Sequence, residues 1–391
     1  FTYWHKIEDF EEMYKDRVRD FTTSLAFSHA TSSVFDYTGN KEPLFLSRGA
    51  VEKNLSHEDL NENPFEIDNS IPKNKKSLAV KVATMSAVKK ALSAGADYVY
   101  LGAEVSPVRG EGWTKEDLQD AVDMAHDMGR KIAYGTPRIC TSRELSEIEW
   151  LFDIGSRVGV DGILVHNLGA IHCAKQFDLD MFADFSFNIL NTGSIEMLEK
   201  LGVKRVTSSI ESSFNDLEKL AILSTLPVES IVHGSLPSML LEHCLPAMLV
   251  TKTNAKSGCR LPCRYINYAL KDEKGEVRTI EVDQYCRNHI MFASDLCVLP
   301  YLNSFLMTDV DMFRIEAQYY EDDLVETVVN QYRKRMDLLM ENPSVFCPLP
   351  ETEWNNLVVK SPKGLSLCAY SQNVTHSRST LEVMKKATQT N

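Results

Sequence analysis

Residues 77–102 read SLAVKVATMSAVKKALSAGADYVYLG, and this stretch decides the fold. SLAVKVA is a short apolar run of strand length. MSAVKKALSAG carries apolar residues at helical spacing and stops at a Gly, where a left-handed residue ends a helix without steric cost. DYVYLG is a second apolar strand. Two later segments, VGVDGILVH (158–166) and LGVKRVTSS (201–209), repeat the join of AGADYVYLG (94–102): a helix ending at Gly, a short link, then an apolar strand. One strand per roughly 25–40 residues is the spacing of βα units. The count predicts strands near 78–83, 97–101, 131–135, 161–166, 180–186, 204–208, 228–233 and 309–316. WTKEDLQDAVDMAHDMG predicts a helix capped by Thr114 with Asp117 three residues on, and another helix is expected from Ser142 to Val158. Eight strands with eight helices point to an α/β chain closed as a (β/α)8 TIM-type barrel. An open doubly wound sheet is the alternative, and no G-x-G-x-x-G follows the first strand to support it.

The rhythm breaks once. Between SIVHG and MFRIEA a long insertion replaces a single helix, and it carries five of the nine cysteines. In this fold such an insertion emerges at the C-terminal mouth, where barrel active sites are built. The expected organisation is an N-terminal helical extension and linker over 1–76, with a helix from Ile7 to Asp20. The barrel follows over 77–340 with the cysteine-rich insertion at 235–305, then a C-terminal extension over 341–391.

Of the 391 residues, 43% are hydrophobic and 25% charged, as in ordinary globular domains. No run reaches the roughly 18 apolar residues of a membrane span, so no membrane partner is expected. The chain opens FTYWHKIEDF without an initiator Met or an apolar secretion signal, which reads as part of a longer polypeptide and as a cytoplasmic protein. The net charge of −13 disfavours free nucleic acid as a general partner, because such binding relies on cations neutralising phosphates. Without a secretion signal the cysteines are not expected to pair, and the sequons at Asn54 and Asn373 are expected to be chance.

The inserted cysteines lie in HGSLPSMLLEHC, KSGCRLPCRY, DQYCRNHI and SDLC. Cys259 and Cys263 form C-x-x-x-C on a tight turn made by Gly258 and Pro262. Cys244 lies 15 residues upstream of Cys259 and Cys286 lies 23 downstream of Cys263. Three chemistries fit such thiols: small buried hydrophobes, a tetrahedral zinc site and a thiolate-ligated 4Fe–4S cluster. Thiols beside Arg260, Arg264 and Arg287 are expected to ionise more easily. Radical-SAM spacing is excluded because Ile266 stands where its third Cys belongs. Cys140, Cys173, Cys347 and Cys368 are isolated thiols with no expected role.

The segments AVKKALSAGADYVYLGAEV, VDGILVHNLGAI, FSFNILNT, VESIVHGSLP and FRIEAQYYEDDLVETVVNQYR together resemble the collagenase-like peptidase family U-32, over roughly residues 77–340. The likeness is strongest where HG-x-LP, a lone Cys, C-x-x-x-C and YCR-x-HI follow in order. YCRNHI and KDEKGEVR are most similar to the second barrel of long two-barrel members. The resemblance implies a 4Fe–4S cluster on Cys244, Cys259, Cys263 and Cys286. It also implies oxygen-independent hydroxylation of RNA or of an aromatic metabolite such as the ubiquinone ring, with prephenate implicated as oxygen donor. Other members carry a Cys where this chain has Pro237 or Ser106, so Cys297 is held as the reserve ligand. The alternatives are a non-catalytic iron–sulfur partner domain and a peptidase. A protein partner, or a second barrel of the same polypeptide, is the further expected contact.

Polar residues at strand ends supply the remaining candidates: Glu104, His166, Asn167, Asn188, Asn191, Glu211 and His233. Asn188 and Asn191 match an N-x-x-N of the family. His233 leads directly into the insertion, and His233, Asn188, Asn191 and Glu211 are the catalytic candidates. The chain has neither H-E-x-x-H nor G-x-S-x-G. A peptidase would have to pair Cys244 with a base such as His243.

Overall fold

The structure is a computed structural model that describes residues 53–61, 63–65, 75–107, 112–251, 259–271, 275–341 and 349–371. The expected helix at 7–20, most of the expected linker, Gly258, Cys347 and Asn373 lie outside the described residues. Eight parallel strands close a barrel: β1 (Ser77–Val82), β2 (Tyr98–Leu101), β3 (Lys131–Gly135), β4 (Ile163–Val165), β5 (Met181–Ala183), β6 (Val203–Thr207), β7 (Val228–Gly234) and β13 (Met312–Glu316). β13 pairs with both β1 and β7, which closes the ring. Every strand expected from the sequence is present.

The helices follow the same alternation: α1 (Met85–Ser93), α2 (Lys115–Asp127), α3 (Leu145–Val158), α4 (Leu168–Ala174), α5 (Thr192–Lys200), α6 (Phe214–Leu223), the short α7 (Leu302–Leu306) and α8 (Asp322–Glu341). Their starts are fixed locally. Thr114 and Asp117 form the expected reciprocal capping box on α2. α3 begins three residues later than expected, because Glu144 folds back to accept from the Thr141 amide at 2.7 Å and hydroxyl at 2.9 Å. No described helix is long and apolar enough to cross a membrane.

The barrel interior is filled, not open. Its apolar layer comprises Ala79, Tyr98, Tyr100, Ala133, Leu164, Phe182 and Met312. Tyr98 and Phe182 meet edge-on with ring centroids 5.9 Å apart, an arrangement worth about 0.5–1.5 kcal/mol beyond burial. Charged side chains share the lumen with this layer: Arg205 lies over Tyr98 and Phe182, and Glu229 accepts from the Tyr100 hydroxyl.

The chain leaves the barrel at Gly234 and builds an antiparallel sheet of β8 (Pro237–Leu241), β9 (Tyr268–Lys271), β10 (Val277–Val282) and β11 (Asn288–Met291), in the order β8-β11-β10-β9. It returns through β12 (Asp295–Cys297), which pairs antiparallel with the end of β7. After α8 come α9 (Glu351–Lys360) and β14 (Leu365–Ser366), and β14 pairs parallel with β12.

Gly234 is the pivot of this exit. Its φ is +127°, and a Cβ there would stand 2.2 Å from the carbonyl oxygen of Glu316. Gly234→Ala should destabilise the fold by at least about 2 kcal/mol, the sum of left-handed strain and a backbone clash. Urea unfolding measures this, and an unchanged midpoint would show that the exit can relax.

Candidate functional site at the barrel mouth

Charged residues project from strand positions whose neighbours are apolar: Lys81 in SLAVKVA, Arg205 in VKRVT, Glu229 in VESIVHG, and Arg314 and Glu316 in MFRIEA. In a closed barrel these positions converge. Arg314 is fully buried and bonds three carboxylates from three parts of the ring: Asp184 after β5, Glu229 on β7 at 2.8 Å and Glu316 on β13 at 2.9 Å. Asp184 also lies 2.8 Å from His166 Nε2 and 3.5 Å from Lys81. Burial raises the Asp184 carboxyl, but Arg314, Lys81 and His166 outweigh it and hold the group well below the usual carboxylate range. Arg205 bonds the Tyr100 hydroxyl, which in turn donates to Glu229 at 2.5 Å. The Arg205 guanidinium lies 3.8 Å from the Phe182 ring centroid.

A second layer lies above the first. Glu104 accepts from the Arg138 backbone amide at 2.8 Å and from its Nε at 2.9 Å. The same guanidinium contacts His289 Nδ1, and His289 Nε2 lies 3.0 Å from Asp283. With Arg138 donating to Nδ1, the ring proton falls on Nε2 and is donated to Asp283. Burial pushes the Glu104 carboxyl up, yet Arg138, His289 and His166 bring it down to about 2. Among the described residues, Glu104, Asp283 and His289 are the trio whose potential ligand atoms lie within 4.8 Å of one another. The Arg138 cation already uses the lone pairs of Glu104 and His289, so the trio is a hydrogen-bonded network.

Asp283 begins the turn DQYCR, residues 283–287, which joins the insertion to the mouth. Gln284 bonds the backbone after β2, receiving from the Val105 amide at 2.8 Å and donating to the Ala103 carbonyl at 2.5 Å. Arg287 grips Glu144 at 2.8 and 2.9 Å and reaches Glu242 at 3.0 Å. Tyr285 bonds Glu147. Cys286, the remaining residue of the turn, adopts a left-handed φ of 63°.

Cys244, Cys259, Cys263 and Cys286 lie near enough to one another for their charges to interact. Burial and then the neighbouring Cys244 and Cys259 push the Cys263 thiol up. Burial and the other three thiols push Cys286 up to about 11. For these two the expectation of easier ionisation is therefore reversed. Desolvation and mutual repulsion prevail, while the Arg287 guanidinium is committed to carboxylates. No three of these sulfurs lie within 4.8 Å of one another among the described residues. Arg260 and Leu261 within C-x-x-x-C are also left-handed, so strained backbone is concentrated on the cysteine loops. The eight described cysteines are all free thiols.

The remaining sequence candidates fall elsewhere. Cys297 is fully buried beside Tyr332, with its thiol pushed up to about 12 by burial, and none of the four inserted thiols acts on it. One extra residue in β7 opposite Arg314 and Ile315 re-aims His233. His233 packs against Tyr320 and Tyr332 with centroids 6.0 and 5.4 Å away. Asn167 and Asn191 cap α4 and α5. Asn188 accepts from Ser209 Oγ at 2.6 Å, and the exposed Glu211 gives its backbone amide to the same hydroxyl. His243 turns its ring to the Met248 sulfur, 2.9 Å away. Arg138, Asp184, Asp283, His289 and Arg314 were missed. The available signal was a charged residue inside an apolar strand, or just beyond its end.

Fold and site together define a (β/α)8 barrel protein with a charged C-terminal mouth joined to a cysteine-bearing sheet. The sequence profile of Peptidase family U32 matches residues 83–366, and the chain belongs to that family. It is 26% identical over 266 residues to an uncharacterized protease of Methanocaldococcus jannaschii, covering 66% of this chain and 64% of that one. It is 24% identical to the 23S rRNA 5-hydroxycytidine C2501 synthase of Escherichia coli K12, covering 65% of this chain and 38% of the relative. It is also 24% identical to a tRNA hydroxylation protein P of Helicobacter pylori, covering 69% and 66%. The chain thus spans less than two thirds of the length of each. A solved U32 peptidase is 13% identical with a TM-score of 0.40, covering 65% of this chain and 96% of that structure.

Arg314→Met should cost at least about 3 kcal/mol in urea unfolding, because it leaves three carboxylates buried without their cation. Burial lowers the His233 pKa from its ordinary 6.5 to about 3. The unfolded ring takes a proton below about 6.5 that the folded ring refuses. Folding stability should therefore fall as pH drops from 6.5 toward 3, and His233→Phe should flatten that part of the curve. An unchanged slope would show that His233 is solvated.

Proposed function

We propose that this chain is an iron–sulfur member of its family that supports hydroxylation of RNA without molecular oxygen. The observation that carries the reading is the meeting of four free thiols on an insertion whose DQYCR turn is bonded to the charged barrel mouth. Cys244, Cys259, Cys263 and Cys286 would hold the group. Bound there, a 4Fe–4S cluster supplies one-electron redox chemistry. Left-handed Arg260, Leu261 and Cys286 support a ligand-holding role, since such strain gathers where geometry is imposed for function.

The chain's own residues supply binding and proton control. Lys81 and Arg314, paired with Asp184, Glu229 and Glu316, and Arg138, paired with Glu104, fix the charge pattern of the mouth, and His166 Nε2 stands beside Asp184, where a proton can be held. An RNA substrate fits the loop that carries Cys259 and Cys263 despite the net charge of −13. Arg260, Arg264 and Lys271 are exposed there, and Tyr265 is 82% exposed, the combination on which single-stranded bases stack. The relatives named for rRNA and tRNA hydroxylation support the same substrate class. The peptidase alternative lacks an oriented base, because the His243 ring is turned to Met248.

Protein reconstituted without oxygen should be brown and hold about four irons per chain. Wild type should restore a hydroxylated nucleoside, read by mass spectrometry of RNA from cells lacking the gene. The Cys259→Ser/Cys263→Ser variant should fold but lose both iron and product. Colourless protein with one tight zinc would overturn the cofactor. Iron retained without any RNA product would favour a non-catalytic partner domain. Peptide hydrolysis by aerobic, iron-free protein, abolished only by Cys244→Ser, would establish a peptidase.

A further inference from the structure

Two of the four thiols are tied together by a residue that can hold no iron itself. Asn288 opens β11 and is fully buried. Its side-chain amide donates to the Cys286 carbonyl at 3.2 Å, and its side-chain oxygen accepts from the Leu245 amide at 2.9 Å. Leu245 follows Cys244 directly, so one carboxamide staples the Cys244 loop to the Cys286 turn. The amide orientation is unambiguous, because one partner is an acceptor and the other a donor.

Cys286 is held from the other side by Asp283. That carboxylate receives the amides of Tyr285 and Arg287, both at 2.9 Å, while its backbone accepts from the Cys286 amide at 3.0 Å. These bonds offset the strain of the left-handed cysteine. Gln284 and Arg287 in turn fix the turn to the barrel. Cys286 thus has a defined position relative to the mouth, and Asn288 transfers that position to Cys244.

Resting on the iron–sulfur reading, we propose that Asn288 is a positioning residue that sets the span between Cys244 and Cys286 and so governs how firmly the four-thiol group is held. Outer residues that orient ligands typically change metal affinity 10–100-fold when lost. Asn288→Leu matches the side chain in size and removes both bonds. Asn288→Asp keeps the acceptor for Leu245 and removes the donor to Cys286.

The experiment compares wild type and both variants after anaerobic reconstitution, following iron loss to a chelator and the electron paramagnetic resonance spectrum of the reduced protein. Wild type should hold four irons and release them slowly. Asn288→Leu should release iron about 10–100-fold faster with altered g-values, and Asn288→Asp should fall between the two. Release rates and spectra identical to wild type in a folded, loaded Asn288→Leu would overturn the positioning role and leave the cofactor reading intact. If Asn288→Leu fails to fold, Asn288→Asp decides, and wild-type behaviour there overturns the role. A wild type that loads no iron would overturn the cofactor reading together with the role built on it.

Discussion

Everything at the barrel mouth depends on the burial of one guanidinium. Arg314 has no exposed surface, and removing such a cation from water is unfavourable by several kcal/mol. It is tolerated because Asp184, Glu229 and Glu316 surround it from β5's end, β7 and β13. The requirement is reciprocal: three carboxylates cannot share one dry lumen without a cation between them. The lumen can therefore hold a fixed set of charges beside its aromatic and aliphatic side chains. Fixed dipoles and charges in a water-poor site are the usual basis of electrostatic preorganisation.

The insertion is bonded to the barrel at Glu104 and Arg138, beside that network. The link is His289, whose two ring nitrogens face opposite ways, Nδ1 toward Arg138 on the barrel and Nε2 toward Asp283 on the turn. Glu104 steadies Arg138 below, and Asp283 shapes the turn above. A continuous chain of bonds thus runs from the β2 end of the barrel to the backbone around Cys286. The proposed cofactor and the proposed substrate mouth would form one site because this chain holds them in register.

Much of the fold was legible because helices and strands differ in the period of their apolar residues, and a Gly at the end of α1, α2, α3 and α5 marks the switch. The repeated joins AGADYVYLG, VGVDGILVH and LGVKRVTSS each became a strand of the ring. The grouping of five cysteines between two strands was legible for the same reason, as an interruption of a regular count. Asn167 and Asn191 illustrate the limit. A polar residue at a strand end satisfies either chemistry or the first turn of the next helix, and here both accept from helix-start amides.

The sequence by itself determined the barrel class and the place of the cysteine-rich insertion, because these follow from local periodicity and spacing, and its resemblance to the U-32 family singled out four of the five inserted cysteines. Only the tertiary structure decided which charges share the lumen, since Lys81, Asp184, Glu229 and Arg314 become neighbours only when β13 closes against β1 and β7. Only it decided that His233 faces aromatic rings, through one extra residue in β7, while His289 faces Arg138. Gln284 meets Ala103 across 181 residues of chain, a pairing no local pattern can encode. Side-chain partners of that separation are chosen by ring closure and sheet register, which exist only once the whole chain has folded.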